Sequence, residues 1–296
     1  MKLATPLSNR LGLKYPFVAA PMFLISNREM IVACAEAGIL GCMPSLNART
    51  GEKLREDLAW IRARTDRAFG INLTIGLTPP ERVEADFAAC IEFEVPVLLT
   101  SYGNPSALVA RAHEKKRLVF HDVINLAHGK KAVAAGVDGI IAVGAGAGGH
   151  AGRISPFVLV PWLKEELQVP ILAAGCISDG RQVVASLALG AELCYIGTRF
   201  IASAECGASD AYKAKVVASG PEDIVYTDAV SGIHASFIKD TVPENFTPDR
   251  SAEGAKRWKD IWSAGQGVGL IHDVKPIGAI VEDLAREAHD CLAALG

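Results

Sequence analysis

The sequence predicts an α/β chain closed into a (β/α)8 barrel, with a small mostly helical insertion after the eighth strand. Three observations carry that prediction. Eight short apolar runs punctuate the first 200 residues, stretches with helical spacing lie between them, and the two alternate about every 20 to 30 residues. That is the period of parallel βα units. Eight units favour closure over an open, doubly wound sheet, which is the alternative.

The runs cover residues 17–22, 39–44, 69–75, 96–101, 118–123, 139–143, 170–175 and 193–200. Each is short and mainly apolar, and 139–143 looks like a buried strand. The intervening helices are expected over 28–37, 52–64, 80–93, 105–115, 126–135, 156–167 and 179–189. Several begin at a cap or first-turn proline: Ser26 or Asn27, Asn104 before Pro105, Ser155 before Pro156, and Ser178 before Asp179. Gly38, Gly136 and Gly190 supply C-terminal stops. After residue 200 the alternation ends. Residues 208–262, including the exposed-looking stretch 243–250, read as a helical lid over the barrel mouth, and 277–295 as the last barrel helix. The barrel domain is then 1–207 with 263–296.

Composition narrows the function classes. Half of the 296 residues are hydrophobic and 21% are charged, enough to bury a large core. The formal charge is −3 and the basic runs are short, which argues against nucleic acid. No apolar run reaches the roughly 18 residues that span a bilayer, and no signal-peptide pattern opens the chain. The seven cysteines are odd in number and form no CxxC pair. They read as reduced core residues of a cytoplasmic protein.

The stretch 138–152, DGIIAVGAGAGGHAG, organises the chemistry: an apolar run breaks into five glycines within nine residues and presents one histidine, His150. A flexible loop with a solvated histidine is the bland alternative. In a βα barrel, however, residues at the C-terminal strand ends form the active site. Those ends collect Ala20, Pro21 and Met22, then Asn72, then His121 and Asp122, then Gly148, Gly149 and His150, then Gly175 and Cys176, and finally Gly197 and Thr198. Glycines after the last three strands leave backbone N–H groups free for a phosphate. The run is not a dinucleotide fingerprint, because no acidic residue follows at the right spacing. No histidine stands at metal-ligand spacing. His150 supplies acid–base chemistry, His121 is expected to pack, His234 to stay out of the site, and Cys176 to matter through its backbone. A barrel that binds a phosphorylated ligand without redox chemistry stays open on residues alone.

At these residues the chain resembles the nitronate monooxygenases, formerly 2-nitropropane dioxygenases. The resemblance rests on AAPM at 19–22, GINL at 70–73, GVDGIIAVGAGAGGHAG at 136–152, PILAAGCISDG at 170–180, ELCYIGTRF at 192–200 and WSAGQGVGLI at 262–271. It implies a TIM barrel that binds FMN and oxidises alkyl nitronates with O2. By position, Ala20, Pro21 and Met22 would contact the flavin ring, Asn72 the ring or ribityl chain, and Gly148 and Gly149 the cofactor. Gly175, Cys176, Gly197 and Thr198 would hold the phosphate, Asp122 would lie near the flavin, and His150 would be the catalytic histidine. The family usually has glutamate where Gly146 stands, a polar residue at Val143, often a basic residue at Asp122, and a second glycine at Cys176. Enoyl-thioester reductases and NAD(P)H:quinone reductases share the barrel, so NAD(P)H stays open as a partner, as does a homodimer. No nucleic acid or membrane partner is expected.

Overall fold

The computed structural model describes residues 3–243 and 260–296. Eight parallel strands close into the expected barrel: β1 (Phe17–Ala19), β2 (Leu40–Pro44), β3 (Phe69–Thr74), β4 (Val97–Ser101), β5 (Leu118–Val123), β6 (Gly139–Val143), then β8 (Ile171–Ala174) and β9 (Leu193–Ile196), which pairs back onto β1. Residues alternate faces along each strand. Val18, Leu40, Cys42, Val97, Leu99, Phe120, Ile141, Leu172 and Leu193 fill the interior. Their neighbours, such as Phe17, Met43, Leu98, Val119, Ile140 and Cys194, pack outward under the helices. The short helix α1 (Pro6–Arg10) joins the interior cluster through Leu7, with Leu11 and Leu13 behind it, and so plugs the barrel floor.

The helices start where local chemistry supplies partners for their free N–H groups. Asn27 caps α2 (Arg28–Ala37) by accepting from Met30 N, and Asn125 caps the helix Leu126–Ala134 in the same way. Before Gly180–Ala188 the cap is Asp179, not Ser178: its carboxylate accepts from Gln182 N, and Gln182 answers with a reciprocal bond. The last helix, Ile277–Leu295, packs on Gly180–Ala188 and on α2, closing the helical ring. All seven cysteines are free, and five of them are buried. Among the described residues no helix is long and apolar enough to cross a membrane.

The segment after β9 departs from the mostly helical expectation. Its described part holds one ordinary helix, Asp210–Ala218, and two strands, β10 (Ile224–Thr227) and β11 (Ala235–Ile238). These pair antiparallel with each other, and β11 pairs with β7 (Gly149–His150). Runs of four residues are too short to reveal a period-2 pattern, so the sequence concealed them. The stretch 244–250, expected to be exposed, lies outside the described residues. The consequence for the site is direct: the segment following the barrel is hydrogen-bonded to the backbone of His150 itself.

Candidate active site

The first wall of the barrel mouth follows β1. Ala20 N donates to Ile196 O, tying the strand end to β9. The loop beyond it is held by Asn47, whose Nδ2 donates to Met22 O and Ser26 O and whose Oδ1 accepts from Leu24 N at 2.8 Å. Ala20, Pro21 and Met22 therefore present a fixed edge to the mouth. Asn72, near the end of β3, is buried and turns its Nδ2 toward Ser101 Oγ.

The mouth's floor carries polar atoms with no protein partner. Asp122 Oδ1 is enclosed and unbonded, as is the Tyr102 hydroxyl. Burial raises the Asp122 carboxyl to about 7 and Tyr102 to about 12, the latter also by the proximity of Asp122. Both are proton donors at slightly acid to neutral pH. Tyr102 is held in the left-handed region at φ 58°, followed by Gly103 at φ 70°; such strain in a non-glycine residue is a frequent feature of binding sites. A carboxyl that ionises near 3.8 when unfolded and near 7 when folded retains a proton on folding, so stability falls as pH rises from about 4 to about 7. Asp122→Asn is therefore expected to flatten that slope and to gain on the order of 2 to 4 kcal/mol at pH 8. Urea unfolding at pH 5 and pH 8 measures it, and an unchanged slope would assign the effect to another group.

His150 stands exposed in the wall of a cavity, in edge contact with the Tyr102 ring at 5.8 Å between centroids. Its Nε2 lies 3.0 Å from Ser231 Oγ, and the Ser231 hydroxyl donates to Ile233 O at 2.9 Å. A hydroxyl has one proton to give, so Nε2 must be the donor toward Ser231. That assigns the Nε2–H tautomer and leaves Nδ1 with a free lone pair. The surrounding walls lower the imidazole pKa below its ordinary 6.5, so the ring is a neutral base at pH 7. Ser231 comes from the segment after β9, and Tyr226 of β10 reinforces the joint by donating to Ala151 O at 2.7 Å.

The glycines sort into two kinds when a Cβ is built on each. At Gly149 a Cβ meets nothing within 4 Å, and at Gly197 its nearest neighbour is Ala20 Cβ at 3.9 Å, so both face open room. At Gly148 a Cβ would lie 2.8 Å from Gly265 N, so this glycine admits protein backbone instead. Residues 264–266 stitch two mouth loops together: Gly265 N donates to Thr198 Oγ1, and Gln266 N donates to Gly146 O. Because Thr198 Oγ1 accepts from Gly265, its own proton remains available to an anion. Gly175, at φ 113°, and Cys176 turn the chain beside it.

Gly146 and Cys176 form a coupled pair. A Cβ on Gly146 would collide with Cys176 Sγ and come within 2.9 Å of Gln266 Oε1. Cys176 itself sits at φ 56°, a conformation that costs a side-chain-bearing residue roughly 1–2 kcal/mol. Where the family pattern puts bulk at 146 and glycine at 176, this chain reverses the two. Cys176→Gly is expected to be neutral to stabilising by up to about 1 kcal/mol, whereas Gly146→Ala destabilises by about 2 kcal/mol, less when Cys176 is also glycine. A double-mutant cycle from chemical denaturation reads the coupling, and strict additivity would refute it.

Other expected residues land differently. His121 is buried, as expected, with Nδ1 2.8 Å from Thr100 Oγ1, and burial lowers it to about 4; it nevertheless lines the same cavity as His150. His234, expected outside the site, also lines that cavity and accepts from Arg153 at 2.8 Å. Tyr102, Ser231 and residues 264–266 complete the mouth, and sequence reasoning did not select them as site residues. For the last, the Ala-Gly-Gln-Gly spacing was the available signal. Among the described residues no three His, Cys, Asp or Glu side chains converge as metal ligands.

A closed βα barrel with a neutral histidine, an unpaired carboxyl and glycine-lined room at the C-terminal strand ends is an enzyme of the (β/α)8 class, built to work on a small organic ligand. The particular kind follows from its relatives. The chain belongs to the nitronate monooxygenase family, whose model, described as "Nitronate monooxygenase", matches residues 4–89 and 81–250, and it is an oxidoreductase. A probable nitronate monooxygenase of Staphylococcus saprophyticus is 26% identical, covering 99% of each chain. A Mycobacterium tuberculosis protein named as a hydroxy-methyl-oxo-octahydroindene-carboxyl-CoA dehydrogenase is 29% identical over 86% of this chain and 71% of its own. Among solved structures, FabK from Thermotoga maritima superposes with a TM-score of 0.87 at 30% identity, covering 98% of both chains. A nitroalkane oxidase from Streptomyces ansochromogenes gives 0.85 at 25% identity, covering 98% of this chain and 99% of that one.

Proposed function

We propose that the protein is an FMN-dependent oxidoreductase that oxidises alkyl nitronates with O2, with His150 handling protons at the substrate. The observation that carries this reading is the His150 imidazole, neutral, fixed in one tautomer by Ser231, and set beside glycines that leave room for a cofactor. When bound, FMN supplies the one-electron chemistry between nitronate and O2 that side chains lack.

The residues fit that group. Ala20, Pro21, Met22 and Asn72 would hold the flavin ring, and the enclosed, unbonded Asp122 Oδ1 offers a polar partner to the ring's amide edge. Gly149 and Gly197 give it space, while Gly175, Cys176 and the free Thr198 hydroxyl proton would hold the phosphate. Gly148 supports the cradle by letting residues 264–266 pass. His150 Nδ1 takes the α-proton of a nitroalkane or orients the nitronate oxygens, with the Tyr102 ring packed against its imidazole. Ile233 and His234, from the described part of the segment after β9, line the cavity at His150, and β11 holds His150 in register.

A second reading, a nicotinamide-dependent reductase of an acyl thioester, draws support from the outward extent of the cavity beside His150, which runs beyond Asp122, where the flavin ring would lie, to helix Leu126–Ala134, further than a nitroalkane needs. Two assays separate them. Denatured protein should release one FMN per chain, and oxygen uptake should follow addition of an alkyl nitronate without any nicotinamide. Protein that contains FMN but consumes oxygen only with NAD(P)H would move it to the reductases.

A further inference from the structure

The cavity at His150 does not end at the barrel mouth. It continues along the outer side of β5, past His121, to helix Leu126–Ala134 and the turn before helix Ser106–Glu114. Its two ends differ in chemistry. The inner end carries Asp122, Tyr102 and His150, and Asp122 is the one carboxylate among the residues that line the cavity. The outer end carries Lys131, His128 and Ser106.

Lys131 is set apart from its neighbour. Lys130 pairs with Glu166 at 2.9 Å, whereas Lys131 makes no ion pair among the described residues, and the His128 ring likewise has no hydrogen-bond partner there. An unpaired cation at the end of a long cavity, with apolar walls such as Ala132 and Ala135 along the way, matches an extended ligand with a charged far end. His121 lines the same cavity: Thr100 engages its Nδ1, and burial keeps the ring neutral, so it adds no second cation to the wall.

We infer that the cleft from His150 to Lys131 is a subsite for an elongated substrate whose distal end is anionic, a carboxylate or a phosphate, the reacting end lying at His150. The inference rests on the proposed function only for that inner end. A small alkyl nitronate, which carries its negative charge at the reacting end, stays with the flavin at the inner end and leaves Lys131 unused.

Calorimetric titration of the flavin-loaded protein with octanoate, octyl phosphate and octanol tests the subsite. The two anions should bind more tightly than the alcohol, and the advantage should shrink as salt is raised. In Lys131→Ala the anion-to-alcohol affinity ratio should fall about three- to fivefold, and in K131A/H128A about tenfold. A preference for octyl phosphate over octanoate would assign a phosphorylated tail, and the reverse a carboxylate. Equal binding of anion and alcohol, or an unchanged ratio in K131A/H128A with circular dichroism like that of the parent, would overturn the inference. Repeating the titration on flavin-free protein separates the two claims. Anion selectivity without any flavin binding would sink the cofactor reading alone, and normal flavin content without selectivity would sink the subsite alone.

Discussion

His150→Ala is expected to lower turnover by about 10² to 10⁴ while leaving bound flavin unchanged, the usual range for losing a positioned acid–base group. The two halves of that outcome have separate origins. His150 offers the base, since Nε2 donates to Ser231 and Nδ1 is free. Its backbone is pinned by the pairing with Ala235, so shortening the side chain leaves the strand in place. Steady-state rates, with flavin content from absorbance in the same sample, read both halves. Unchanged turnover would remove His150 from the chemistry, and lost flavin would make it a cofactor ligand instead.

Gly197→Val is expected to weaken FMN binding roughly 10- to 100-fold, the effect of forcing extra methyl groups into a filled site. The backbone at Gly197 has φ −101°, a conformation open to any residue, and its Cβ position meets no protein atom closer than 3.9 Å. The variant should therefore fold normally. Fluorescence titration of flavin into the stripped protein measures the affinity. Wild-type affinity in Gly197→Val would place the phosphate elsewhere.

Much of the fold was legible because parallel barrel strands are buried on both faces, so each appears as a short, mainly apolar run between stretches of helical spacing. That is why runs such as 69–75 and 118–123 mark β3 and β5 to within a residue or so. The strands β10 and β11 were not legible, being four residues each and held by pairing with each other and, through β11, with β7 more than by any pattern of their own. The site divides along the same line. His150, Asp122 and the glycines sit at strand ends, where topology alone marks them. Ser231 reaches His150 across 81 residues of chain. The exclusion between Gly146 and Cys176 is likewise a long-range contact, invisible to local spacing. Tyr102 resembles any turn tyrosine until its buried, unpartnered hydroxyl is seen beside Asp122.

The most direct test is the flavin absorbance of the purified protein under anaerobic conditions, recorded after adding an alkyl nitronate and, in a separate cuvette, NADH or NADPH. A mouth built as proposed predicts a flavin spectrum that bleaches with the nitronate alone and recovers when O2 is admitted. Bleaching by the nicotinamide only, or no flavin spectrum even after incubation with FMN, would contradict it.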